Sequence, residues 1–318
     1  MRILLFITIM TLPGALIAKV NQQQVDNFIT ATAEDYQLDS EDIRAILKQA
    51  KHQQGIIDAM NRPAEKVLEW YQYRPIFITD KRIQEGVEFW RKHQDVLHKV
   101  SEQTGVPTHI IVAIIGVETY YGRIKGNHKV LDALYTLAFD YPKRSAFFSK
   151  ELAHFLKLSA DGHVSALQAK GSYAGAMGYG QFMPSSYRSY AVDYERDGVI
   201  DLLNNPQDAI ASVANYLARH GWKKGQTVVA KTEAPDQTVK LNQLKPHLSN
   251  DQGQDYTLIG LKTAEDSMAY WQGFHNFYVI SRYNHSHMYV MAVYQLAEKI
   301  KSAHQTDASP KTSQENAQ

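Results

Sequence analysis

In the stretch HIIVAIIGVETYYG, residues 109 to 122, one carboxylate follows an almost unbroken apolar run. At helical spacing Ile111, Ile114, Val117 and Tyr121 share a face, and Glu118, four residues after Ile114 and seven after Ile111, falls on it. Burial disfavours the charged form of a carboxyl, and a place in the last turn, beside unsatisfied carbonyls, pushes the same way. Both effects raise the pKa, so Glu118 is expected to stay protonated near neutral pH, as a general acid must. The competing reading is a helix-end Glu reaching a Lys or Arg. A second stretch, GSYAGAMGYGQFMPSSY at 171 to 187, holds four glycines and three tyrosines around Gln181. Glycine at that density weakens any regular element. It serves either tight left-handed turns or a ligand lying against bare main chain.

An ordinary glycosidase adds a second carboxylate about 5 to 9.5 Å from the first. The nearest candidates, in KVLDALYTLAFDYPKR, are Asp132 and Asp140. The first reads as a helix-start residue and the second as a turn residue before Pro142, so neither reads as a nucleophile. In DYERDGVIDLLN, 193 to 204, acidic side chains at positions 1, 3, 5 and 9 (Asp193, Glu195, Asp197, Asp201), Gly198 at 6 and the Val199 carbonyl at 7 follow the order of an EF-hand calcium loop. Asn204, at position 12, lacks the bidentate carboxylate that order requires.

These residues need a frame. From Val25 to about Gln72 the pattern is helical, with Ser40 as N-cap before Ile43, Ile46 and Leu47. Ile83, Val87, Trp90, Leu97 and Val100 predict one helix from about Lys81 to Thr104, ended by Gly105. Pro107 opens the helix that carries Glu118. Further helices are expected near 145–159, 185–191, 208–220 and 287–302. Between 226 and 280, TVVAKT, YTLIGLKT and NFYVISRY are short β-branched or aromatic runs that predict a small sheet. The fold class is mainly α (α+β).

The first eighteen residues, MRILLFITIMTLPGALIA, have the outline of a secretory signal peptide, and no later apolar run is long enough for a membrane span. The domain is expected over 19–305 and a disordered tail over 306–318. There is no cysteine, which removes disulfides, thiolate chemistry and a lipid anchor at a leader cysteine. Export without disulfides predicts a periplasmic protein of a bacterial envelope. With the leader's single Arg set aside, 33 basic residues face 33 acidic ones, a balance that argues against a nucleic-acid partner. Nineteen tyrosines suit stacking on sugar rings.

The motifs GVETYYG, LDALYTLAFDYPKR, GSYAGAMGYGQFMPSSY, DGVIDL, SVANYLARHGW and YVISRYNHSHMYVMAVYQLA together resemble the lytic murein transglycosylase B family over roughly residues 25 to 302. The resemblance implies a lysozyme-like helical core. It also implies cleavage of the N-acetylmuramic acid to N-acetylglucosamine bond without water, leaving a 1,6-anhydro sugar, with Glu118 as the single acid and then base. By the same matching, Ser172 and Gln181 would hydrogen-bond the sugar, the glycines would make room for it, and Tyr73, Arg144, Tyr216, Tyr283 and Asn284 would line the groove. Lys143 stands where the family commonly has Arg, and loses its bidentate fork. The calcium loop of related enzymes takes its last carboxylate later, at the position of Asp208. A structural calcium ion would then be held by Asp193, Glu195, Asp197, Val199 and Asp208, with no cofactor needed for the chemistry. Peptidoglycan strands are the implied partner, with other cell-wall enzymes as further candidates. A hydrolytic muramidase and a non-catalytic wall-binding module are the alternatives.

Overall fold

The computed structural model describes residues 21–62, 68–236 and 238–308, so the expected leader and most of the expected tail lie outside the described residues. Four short helices, α1 (Gln22–Tyr36), α2 (Ser40–Leu47), α3 (Gln54–Asn61) and α4 (Trp70–Phe77), lead into α5 (Asp80–Lys92), α6 (Gln94–Thr104) and α7 (Thr108–Thr119). Then come β1 (His128–Lys129), α8 (Val130–Asp140), α9 (Ser145–Ala160), β2 (Lys170–Gly171), α10 (Pro184–Tyr190) and α11 (Pro206–Arg219). The last part holds β3 (Val229–Thr232), β4 (Leu248–Ser249), β5 (Asp255–Ala264), β6 (Ser267–Gly273), α12 (His275–Ser281) and α13 (His287–Ala308).

The body is built around α7, which packs against α5, α6, α11 and α13. Every residue from Ile110 to Gly116 is buried, so this helix has no outer face, and the one-sided stripe expected from the sequence is instead a helix enclosed all round. Burying each Ile of that run contributes about 1.5–3 kcal/mol. The expected Lys81–Thr104 helix is two helices. His93, at φ −117° and ψ 25°, is the C-cap of α5 and the N-cap of α6, and the kink lets both pack on the body. The cap of α2 is Asp39 rather than Ser40, its carboxylate accepting from the amides of Glu41 and Asp42. Gly105 closes α6 in the left-handed region, as its position suggested.

A four-stranded antiparallel sheet, in the order β3-β6-β5-β4, sits beside α4 and α12. The expected strand NFYVISRY is instead α12, because Phe277, Val279 and Ile280 bury together at helical spacing. Among the described residues no single helix is long and apolar enough to cross a membrane.

Candidate active site

Glu118 lies one residue before the end of α7, where the chain turns back sharply. Tyr120, Tyr121 and Gly122 follow in succession with φ of 53°, 60° and 88°. Two adjacent non-glycine residues in the left-handed region cost about 1–2 kcal/mol each, so packing must hold them. Tyr121 supplies that packing. Its hydroxyl donates to the Arg82 carbonyl at 2.8 Å, and its ring fills the space where Cβ atoms on Gly86 and Gly116 would come within 2.6 and 2.7 Å of it. Thr119 pins the same turn, donating to the Tyr179 carbonyl at 2.8 Å while accepting from the Gly122 amide at 2.9 Å.

Glu118 keeps partial exposure, yet the protein around it has the density of an interior. Burial pushes its carboxyl up to about 7, against the pull of a hydrogen bond from Tyr289. That bond runs from the Tyr289 hydroxyl to Glu118 Oε1 at 2.6 Å. Tyr73 on α4, and Tyr283 just beyond α12, also feel its charge, and burial together with Glu118 raises all three phenols. The carboxyl therefore sits among phenols, one of which, Tyr289, donates to it.

Of the residues singled out from the sequence, Glu118, Tyr73 and Tyr283 are brought together. Tyr283 donates to the Gly180 carbonyl at 2.6 Å, which ties the glycine-rich loop to the site. Gln181, itself left-handed at φ 50°, donates to the carbonyls of Gly178 and Lys125, leaving its Oε1 available. Ser172 Oγ accepts from the amides of Ala174 and Ala176, so it braces the loop's first turn. Tyr216 is buried rather than open to a sugar face. Its ring packs on His220, Tyr283 and Tyr190 and its hydroxyl donates to the Arg282 carbonyl, which positions Tyr283. Arg144 is exposed at the head of α9, with its guanidinium over Phe147 at 4.3 Å. Asn284 is exposed next to Tyr283.

The glycines do not leave room for a sugar as expected. A Cβ on Gly171 would strike the Ala176 carbonyl, on Gly175 the Leu134 side chain and on Gly178 the Leu202 carbonyl, and on Gly180 it would stand 2.8 Å from the Tyr283 hydroxyl. Protein fills the space over each of them. Asp132 and Asp140 are likewise spoken for. Asp132 accepts from the Lys51 amide and the Gln53 side chain, and Asp140 meets His52 at 2.7 Å.

The residues expected to hold calcium, Asp193, Glu195, Asp197, Val199 and Asp208, lie on one loop and the first turn of α11 that follows it. Among the described residues no group of three or more His, Asp or Glu side chains is arranged to hold an ion. Asp193 accepts from the amides of Arg196, Asp197 and Gly198, and Asp197 from that of Val199. Asp208 is buried, and its two oxygens take the amides of Tyr194 and Asp201, both at 2.8 Å. Glu195 turns to Asn205 and Gln207. Main-chain hydrogen bonds to these carboxylates fix the shape of the loop.

Tyr289 was not foreseen. It lies on the buried stripe Tyr289, Val293, Leu296, Ile300 of α13, and a phenol at the open end of such a stripe was the available signal.

Over residues 20–298 the chain matches the family described as Transglycosylase SLT domain. It is 41% identical over 302 residues to the membrane-bound lytic murein transglycosylase B of Escherichia coli (strain K12), covering 88% of this chain and 83% of that one. The crystal structure of the soluble lytic transglycosylase SltB1 from Pseudomonas aeruginosa superposes with a TM-score of 0.85 at 45% identity, covering 89% of this chain and 99% of that one. That of the Escherichia coli lytic transglycosylase Slt35 in complex with calcium does so with 0.82 at 41%, covering 88% and 93%. A lysozyme-like helical core, a desolvated acid at the end of its central helix and these likenesses agree: the chain belongs to the SLT-domain family of lytic transglycosylases.

Proposed function

We propose that this chain cleaves the β-1,4 bond between N-acetylmuramic acid and N-acetylglucosamine in peptidoglycan, with Glu118 as its single acid and base. The observation that carries the reading is a carboxyl raised to about 7, held by Tyr289 and set among phenols. Protonated, Glu118 gives its proton to the glycosidic oxygen as the bond to C1 breaks, and the sugar's own acetamido group steadies the cationic centre. The carboxylate so formed takes the proton of the C6 hydroxyl while O6 bonds to C1. A 1,6-anhydro end results, no water is consumed, and Glu118 is protonated again. Substrate assistance of this kind dispenses with a second carboxylate.

A pKa near neutrality suits both halves, since the group must give a proton and then reclaim one. Tyr73 and Tyr283, flanking the acid, offer aromatic faces to the sugar, and Gln181 Oε1 an acceptor for an amide or hydroxyl. We assign Arg144, exposed at the head of α9, to the carboxylates of the stem peptide. The enzyme works in the periplasm, where its substrate lies, exported by the segment 1–18.

Two measurements test the reading. Glu118→Gln should solubilise purified wall at least about a thousand-fold more slowly than the parent, the loss expected when a sole acid is removed. Mass spectrometry of the parent's products should show anhydro ends. Reducing ends would make the enzyme a hydrolytic muramidase, and an undiminished Glu118→Gln variant would leave the groove as a binding site without chemistry.

A further inference from the structure

Away from Glu118, a cavity of about 580 Å³ opens between the sheet and α12. Lys223, Lys245, Phe274 and Tyr278 line it, with Gly225 and Gly253 at its turns. Both glycines are left-handed, and nothing stands within 4 Å of where a Cβ would be, so bare main chain is open here as it is not in the 171–180 loop. The wall is preformed. Asn276, fully buried, donates to the carbonyls of Lys223 and Gln226 at 2.8 and 3.0 Å and accepts from the Lys223 amide at 2.9 Å. Both lysines are exposed, and neither ammonium has an ion-pair partner among the described residues. The one carboxylate in the lining, Asp255, takes the Ser249 hydroxyl at 2.6 Å. Free cations beside aromatic rings and open main chain suit an anion carried on a ring-bearing polymer.

This cavity is joined to the acid's surroundings by α12. Tyr278 in its wall lies on α12, and Tyr283 beside Glu118 follows that helix by two residues. Arg282 lies between, its guanidinium 5.9 Å over the Tyr278 ring and its carbonyl bound by Tyr216. We propose that the cavity is a distal subsite that holds a carboxylate-bearing repeat of the glycan strand whose next units pass Glu118. The assignment rests on the glycan-cleaving reading above for its ligand, and on the cavity alone for its place.

Binding is measured by co-sedimentation with purified wall in a Glu118→Gln background, which separates it from cleavage. Lys223→Glu with Lys245→Glu should raise the half-saturating wall concentration about five-fold. Lys48→Glu with Lys99→Glu, equal in charge and on exposed positions elsewhere, should raise it less than about two-fold. An unchanged half-saturation in the first pair, or an equal rise in both, overturns the proposal. Repeating the measurement on wall stripped of stem peptides assigns the recognised carboxylate, to the peptide if the difference vanishes and to the lactyl group if it persists. Failure of the parent to solubilise wall would sink the glycan-cleaving reading and leave this binding result standing.

Discussion

Exchange of Glu118 for Gln should do more than abolish chemistry: it should stabilise the protein, and by an amount that depends on pH. In the unfolded chain this carboxyl titrates near 4.5, while in the fold burial raises it to about 7. Below the unfolded value both states are protonated and the acid costs nothing. As pH rises from 4.5 to 7 the unfolded chain gives up its proton while the fold keeps it, so stability falls, and above 7 the loss is complete. The shift corresponds to about 3 kcal/mol at roughly 1.36 kcal/mol per unit. Gln preserves shape and the hydrogen bond from Tyr289 but cannot ionise. At pH 8 the Gln variant should therefore melt about 5 °C above the parent, with the two curves converging by pH 4.5. Calorimetry across that range, with urea titrations as a check, measures it. A variant no more stable than the parent at pH 8, or a gap independent of pH, would show that the carboxyl is not strained by its setting, and the case for a raised acid would fall with it.

Tyr289→Phe removes the donor that opposes burial, so the Glu118 pKa should climb by about one unit. NMR titration of the labelled carboxyl, and the alkaline limb of the pH–rate profile, should both move upward; a downward move contradicts the assignment. Gly178→Ala forces a left-handed alanine against the Leu202 carbonyl and should lose at least about 2 kcal/mol in urea unfolding, whereas Gly162→Ala, left-handed with open space, should lose only about 1 kcal/mol. Asp208→Ala orphans the amides of Tyr194 and Asp201 and should destabilise by about 2–4 kcal/mol. The parent's melting temperature should change by less than about 1 °C between chelator and millimolar calcium. A clear rise with calcium would return an ion to that loop.

The desolvation of Glu118 was legible in the sequence because an almost unbroken apolar run leaves a lone carboxyl few routes to water, a local property. The acid's partner was not. The Tyr289 hydroxyl reaches Glu118 across 171 positions, and no periodicity within either helix announces the meeting. The glycine run shows the same limit from the other side. Its composition showed that something comes close, but the neighbours are Leu134, Leu202 and Tyr283, supplied by distant segments rather than by a ligand. His93 breaks a helix without proline or glycine, where packing of two stretches on one body overrides propensity. For α12 the short apolar run was ambiguous between strand and helix, and burial decided. The acidic loop reads in sequence as a calcium loop with an imperfect twelfth position, and its spacing does not show which amides its carboxylates take. Their bonds to main-chain amides became visible only in three dimensions.

Three separated lengths of chain close around Glu118, the last of them on the terminal helix α13. A nascent polypeptide thus carries its raised carboxyl long before the phenol that tunes it has been synthesised. Until that final segment docks, the carboxyl lacks both the phenol that tunes it and the helix that packs along α7.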